Sequence, residues 1–307
     1  MSFSKFIYRQ KQKIKYHTAK TYIDRLISEI NRNDEQVELT EDTFNIKDFD
    51  FNFPNKYLFL LKRYNDLVFL TRQDNSAFQL IDEKLVYEIN NLKLFIKTAE
   101  ELYIIREVFF HEIYNISLGK PFMVIDIGMN VGYTSLYFAN RNDVQKVYSY
   151  EPFKMTYDDA QENFELNNQI QAKVQRQNVG LGLKNEAIEV EYSTELKGKN
   201  NTQNLDLLKS KSQYHESINL INGRNEIEKV ITENISNEFV LKLDCEGAEF
   251  DIFNSFGMGS FPENIIAFMI EWHKNDPQPL IDKLLSNNFK VHCTSNSSEI
   301  GYILAMR

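Results

Sequence analysis

In VIDIGMNVGYTS, residues 124–135, Asp126 ends an apolar strand, Gly128 and Gly132 fall in the turn after it, and a helix starts at once. Glycines there let a ligand approach the backbone, and the carboxyl end of a first strand is where open α/β sheets take nucleotides. The spacing Gly128-x-Asn130-x-Gly132 lacks the middle and last glycines of a dinucleotide fingerprint, which speaks against a nicotinamide cofactor. Glu151, in SYEPF, closes the next strand about 20 residues further on, where a carboxylate accepts both hydroxyls of an adenosine ribose. In KLDCEGAE, residues 242–249, Lys242, Asp244 and Glu246 alternate around the end of a central strand. For Glu246 and Glu249 the start of a helix at Gly247 is also a sufficient reason, since a helix N-terminus favours negative charge. IEWH, residues 270–273, brings Glu271 and His273 to the end of the following strand, with Trp272 as a wall. A carboxylate or a neutral imidazole takes a hydroxyl proton near pH 7, so Asp244 and His273 are the expected bases. Asp244, Glu246, Glu271 and His273 include oxygen ligands of the kind Mg²⁺ prefers, but their spacing does not demand a metal, and that question stays open.

These residues need a sheet to hold them. Short apolar runs at 122–127, 146–150, 173–179, 239–243, 265–270, 290–294 and 302–305 read as strands. They alternate with helices beginning near Gly132, Lys154, Gly247 and Pro277, with Asp276 as an N-cap before Pro277. This alternation predicts a mostly parallel sheet covered by helices on both faces. The polar stretch 194–236 interrupts it and reads as an insertion, either a lid over an acceptor or a disordered connection. Upstream, Ile23, Leu26, Ile27 and Ile30 mark a helix by their spacing, and the runs 57–62 and 67–71 around Arg63-Tyr64-Asn65-Asp66 predict a small hairpin. A strand follows at 92–97. Thr98 with Glu101 then forms a capping box for a helix through about Tyr114. The expected division is a smaller α+β N-terminal region, 1–97, and a main domain, 98–307.

Composition limits the partners. Lys and Arg number 35 against 44 Asp and Glu, a net charge of −9, which argues against a global grip on nucleic acid. The charge is uneven: residues 1–32 are basic and residues 33–51 acidic. The basic segment reads as a solvated helix or as a docking element for an acidic partner or a membrane surface. No apolar run approaches the ~18 residues of a membrane span, and no secretory core is visible near the start, so a cytoplasmic location is expected. Two cysteines, Cys245 and Cys293, make neither a disulfide framework nor a zinc pattern.

The segments DIGMNVGYTS, YEPF, ENFELNN, KLDCEGAEFDIF and EWH, in this order, resemble the FkbM family of S-adenosylmethionine-dependent methyltransferases over about residues 98–307. The resemblance implies an α/β class I methyltransferase fold, a Rossmann-like sheet with its last strand antiparallel. It implies methyl transfer to a hydroxyl of a sugar, glycan or other small metabolite. Carried onto this chain, Asp126, Gly128, Asn130 and Gly132 form the S-adenosylmethionine loop, Glu151 holds the ribose, and Asn178 meets the adenine edge. Lys242, Asp244, Glu246 and His273 line the methyl-transfer region. The chain departs from the family pattern at Met129, where a small residue is usual, at Cys245, where an aliphatic is usual, and before the fourth strand, where ITENI at 231–235 replaces a Leu-Asp-Asp segment. The competing readings are a non-catalytic methyltransferase-like scaffold and a nicotinamide-dependent oxidoreductase. Neither the acceptor nor the oligomeric state is legible.

Overall fold

The computed structural model describes residues 22–32, 37–193 and 213–307. The basic residues before 22, the segment 33–36 and the middle of the expected insertion, 194–212, lie outside the described residues. The chain divides into two units, Met1–Asn91 with Phe95–Arg106, and Leu92–Leu94 with Glu107–Arg307. The boundary therefore lies inside a helix, not ahead of it at residue 97. Arg63 bonds Glu100 at 2.5 Å and Arg106 bonds Asp66 at 3.0 Å, so the first turns of that helix are paired within the N-terminal unit, where Leu102 and Ile105 are also buried.

In the first unit, helix α1 (22–31) follows the expected spacing. Strands β1 (Val37–Leu39), β2 (Thr43–Ile46) and β3 (Phe53–Pro54) form one antiparallel sheet. The hairpin expected at 57–71 is instead a 3₁₀-helix, Asn55–Arg63, running into α2 (Tyr64–Thr71). Tyr57, Leu60, Leu61, Tyr64, Leu67 and Val68 are all buried. Those positions step by three and four, a helical period that the contiguous apolar letters obscured. Strands β4 (Ser76–Ile81) and β5 (Lys84–Ile89) form the hairpin the sequence did not advertise. Its two turn residues, Asp82 and Glu83, both adopt positive φ, the conformation of a type I′ turn for which Asn-Gly is the usual signal. Strand β6 (Leu92–Phe95) follows, its first three residues belonging to the second unit, and within the first unit Phe53 and Phe78 meet edge to face at 5.1 Å. Helix α3 (Glu100–Phe109) opens as expected: Glu101 Oε2 accepts the Thr98 backbone N–H at 3.1 Å.

The second unit is built on seven strands: β7 (Phe122–Ile127), β8 (Val144–Tyr150), β9 (Val174–Gln177), β13 (Phe239–Leu243), β14 (Ile265–His273), β15 (Lys290–Ser295) and β16 (Ile300–Met306). Their order across the sheet is β15-β16-β14-β13-β7-β8-β9, with β7, β8, β9, β13 and β14 parallel and β16 antiparallel to both neighbours. This is the class I methyltransferase sheet. The helices are α4 (Tyr133–Asn140), α5 (Lys154–Glu165), α6 (Asn168–Gln171), α7 (Gly223–Glu233), α8 (Glu249–Ser255) and α9 (Gln278–Ser286). Asp276 Oδ1 accepts the Gln278 N–H at 3.0 Å, the cap expected at Asp276.

The insertion is smaller than 194–236. Strand β12 (Gln213–Asn222) pairs with β11 (Glu186–Ser193) along its whole length and with β10 (Gly180–Gly182), giving a three-stranded side sheet. Helix α7 then buries Ile227, Val230 and Ile231 in the core of the main sheet. The run of Asn, Lys and Glu hid these elements because only one face of each is apolar.

Candidate functional site

Chain order reverses between β7 and β13, so a crevice opens at their carboxyl ends, the place where sheets of this type bind ligands. Three of the four residues expected in the turn after β7 have left-handed backbones: Gly128 (φ 83°), Asn130 (φ 51°) and Gly132 (φ 86°). The loop is pinned by backbone bonds from Gly128 and Met129 N–H to the Tyr150 carbonyl at 3.1 and 2.9 Å. Asn163, from ENFELNN, donates to the Val131 carbonyl at 2.9 Å. Asn167 of the same segment bonds the Lys93 backbone on both its amide atoms, which explains why residues 92–94 group with this unit.

Gly128 has no room for a side chain. A Cβ there would stand 1.8 Å from the Asp244 carbonyl oxygen, a backbone atom that no rotamer change can move. Gly128→Ala is therefore expected to cost about 2–4 kcal/mol, from overpacking together with the unfavourable left-handed backbone. Gly119 is the control, with φ 67° and open space around it, so Gly119→Ala should cost about 1–2 kcal/mol. Denaturant unfolding of the two variants, compared with the parent chain, checks the difference.

Below this loop lies a fully buried ionic group. Asp126 accepts from Ser135 Oγ at 2.6 Å and pairs with Lys242 Nζ at 3.1 Å. Lys242 donates to the Gly128 carbonyl at 2.7 Å and reaches Asp244 Oδ2 at 3.7 Å. Burial opposes the Lys242 charge, but Asp126 and Asp244 outweigh it and hold the ammonium above its ordinary range. Asp126 and Lys242, expected at the cofactor and the reacting groups, thus support the loop from beneath and do not face the crevice.

Glu151, just beyond β8, lies against the loop. Its Oε2 accepts the Asn130 N–H and its Oε1 the Phe153 N–H, both at 3.0 Å. Burial lifts its pKa to about 7 against those two bonds. Asn178 donates to the Glu151 and Pro152 carbonyls at 2.9 and 3.0 Å, so its amide nitrogen braces the segment that carries Glu151.

On the other side of the crevice, Asp244, Glu246, Glu271 and His273 come together, as their strand-end positions imply. His273 Nε2 lies 3.6 Å from Glu271 and 4.0 Å from Glu246, and Nδ1 lies 3.4 Å from Glu249. Burial disfavours the charged ring, but Glu249, Asp244 and Glu246 prevail and raise its pKa to about 9. The surrounding carboxylates thus favour a proton on the ring, and a cation bound in its place would answer the same negative charge. Glu246 has φ 57°, and burial raises its carboxyl to about 7. Trp272 points to the opposite face of β14 and packs in the hydrophobic core, so it is no wall of the crevice.

Two participants escaped the sequence reading. Tyr114 Oη donates to Asp244 Oδ2 at 3.0 Å, but it follows α3 in an irregular segment without a motif. Glu249 was assigned only to the helix start, yet its Oε1 also accepts the Cys245 N–H at 2.9 Å and faces His273.

A switch-point crevice with a braced, glycine-turned loop on one side and a carboxylate cluster on the other defines a methyltransferase-type α/β domain. The chain belongs to the FkbM methyltransferase family: the methyltransferase FkbM domain matches residues 126–291. Methyltransferase 1 of Beauveria bassiana is 26% identical over 193 residues, covering 58% of this chain and 74% of that protein. Among solved structures, FkbM methyltransferase from Methylobacillus flagellatus superposes with TM-score 0.43 and 12% identity over 67% of this chain. The chain spans 50% of the length of that protein. Human methyltransferase 10 domain containing protein superposes with TM-score 0.41 and 13% identity, over 80% of this chain and 94% of its own.

Proposed function

We propose that this protein is an S-adenosylmethionine-dependent O-methyltransferase acting on a hydroxyl of a sugar or another small metabolite. The observation that carries the reading is Glu151, a buried carboxylate beside the Gly128–Gly132 turn. Each of its oxygens is oriented by one backbone N–H and retains a further acceptor position for a ribose hydroxyl. Asn130 Oδ1 is buried in the same loop without a partner. The free acceptor positions of Glu151 and the unpartnered Asn130 Oδ1 fit the donor. Gly128, Asn130 and Gly132 would hold it with Glu151, while Asn178 keeps Glu151 in place.

When bound, S-adenosylmethionine supplies an electrophilic methyl group on a sulfonium. The chain's task is then to hold an acceptor oxygen in line with that group and to relieve it of its proton. Asp244, oriented by Tyr114, and Glu246 are the carboxylates placed to take it. The net charge of −9 supports a small acceptor over a nucleic acid, and the unpaired Cys245 and Cys293 support a cytoplasmic location. Among the described residues no helix is long and apolar enough to cross a membrane.

The test is calorimetric titration of the purified chain with S-adenosylmethionine and S-adenosylhomocysteine, with NAD as the comparison, followed by radiolabelled methyl transfer to a panel of sugars and hydroxylated metabolites. Saturable binding of the first two and none of NAD is expected. A folded chain that binds neither, or prefers NAD, overturns the reading.

A further inference from the structure

We propose that Asp244, Glu271 and His273 bind one divalent cation at the acceptor side of the crevice. The inference rests on the methyltransferase reading for its purpose but not for its occupancy. One ligand atom from each residue lies within 4.8 Å of the other two. An octahedral ion holds its ligands at about 2.1 Å, so opposed ligand atoms stand about 4.2 Å apart, and small side-chain adjustments suffice to gather these three.

His273 carries the argument beyond a group of acids. Its side chain is 6% exposed, and its Nε2 points among carboxylates that stand at 3.6 and 4.0 Å, outside hydrogen-bond distance. On the far side of the ring Nδ1 faces Glu249, which is fully buried and anchored by the Cys245 N–H. A carboxylate behind one ring nitrogen, with the other nitrogen presented to oxygen ligands, is how metal-bound histidines are oriented. Tyr114 engages only Oδ2 of Asp244.

The two carboxylates suit a hard six-coordinate ion, and Mn²⁺ also takes an imidazole, whereas Mg²⁺ and Ca²⁺ favour all-oxygen sets. Asp244 is 31% and Glu271 16% exposed, which leaves coordination positions for water or an acceptor hydroxyl. With the ion held by Asp244, Glu246 is the carboxylate left outside the ligand set to receive the hydroxyl proton.

The experiment uses the full chain, stripped with a chelator and titrated with Mn²⁺ alone, with free Mn²⁺ followed by paramagnetic resonance. One saturable equivalent is expected. Asp244→Asn and His273→Gln should each weaken it roughly tenfold or more, and Glu249→Gln by about 10–100-fold through loss of the ring's support. Far-ultraviolet circular dichroism establishes folding, and Asp244→Asn, at the rim, keeps the test decisive if His273→Gln does not fold. No saturable binding by the folded chain, or binding that survives Asp244→Asn undiminished, overturns the site. Titration of the same preparations with S-adenosylhomocysteine separates the two ideas. Donor-product binding without Mn²⁺ binding removes the cation site alone, and Mn²⁺ binding without donor-product binding removes the methyltransferase reading alone.

Discussion

Glu151→Gln is expected to weaken donor binding on the order of 100-fold and, at the same time, to remove a loss of stability that the unliganded parent suffers as pH rises towards 7. The first effect follows from replacing a carboxylate that accepts two ribose hydroxyls, since hydrogen bonds to a charged group contribute about 1.5–3 kcal/mol each. The second follows from burial. The carboxyl has a pKa of about 7 in the folded chain against an ordinary 4.5. Folding therefore favours the protonated form: the protonated carboxyl costs nothing below about 4.5, and stability is lost as pH rises towards and through about 7. The neutral amide of glutamine escapes that loss, worth about 1–3 kcal/mol at pH 8, but at every pH its NH2 leaves one of the two backbone N–H groups without an acceptor. Denaturant unfolding at pH 5 and pH 8 should show the parent losing stability relative to the variant at the higher pH. Calorimetry of the parent should show donor affinity rising through about pH 7, because the ionised carboxylate is the form that accepts the hydroxyls. A variant that binds as tightly as the parent removes Glu151 from the donor site.

Lys242→Met is expected to destabilise the second unit by about 3–5 kcal/mol, the largest stability change among these variants. Lys242 is 1% exposed and Asp126 is wholly buried, so removal of the ammonium strands a charge with no solvent to receive it. The Gly128 carbonyl loses its donor as well. Adding Asp126→Asn removes the stranded charge and should recover part of the loss, since Asn still accepts from Ser135. Equal unfolding midpoints for the single and double variants would show that Lys242 acts through packing alone.

The strands of the second unit were legible because a parallel sheet buried on both faces leaves continuous apolar runs, as in FMVIDI and IIAFMI. The site residues were legible because carboxylates and glycines at strand ends break those runs abruptly. What the sequence hid depends on distance or on one-sided burial. The helices at 55–71 read as strands because LFLL and LVFL are as apolar as a strand, and the buried ion pair of Asp66 with Arg106 spans two elements. Strand β12 and α7 read as an insertion in the sequence because their outer faces are polar. Lys242 and His273 could be placed at the ends of their strands. That one lies beneath the loop and the other is ringed by carboxylates depends on neighbours from separate segments.

The ammonium of Lys242 touches the Gly128 carbonyl on one side and approaches Asp244 on the other, and Gly128 itself rests against the Asp244 backbone. The two halves of the cleft are thus not independently adjustable. A ligand that shifts the Gly128 turn must also shift the carboxylate across from it, and by thermodynamic reciprocity an occupant beside Asp244 alters the grip on the turn by the same factor. The buried ammonium and the backbone contact of Gly128 with Asp244 together join the two sides of the crevice.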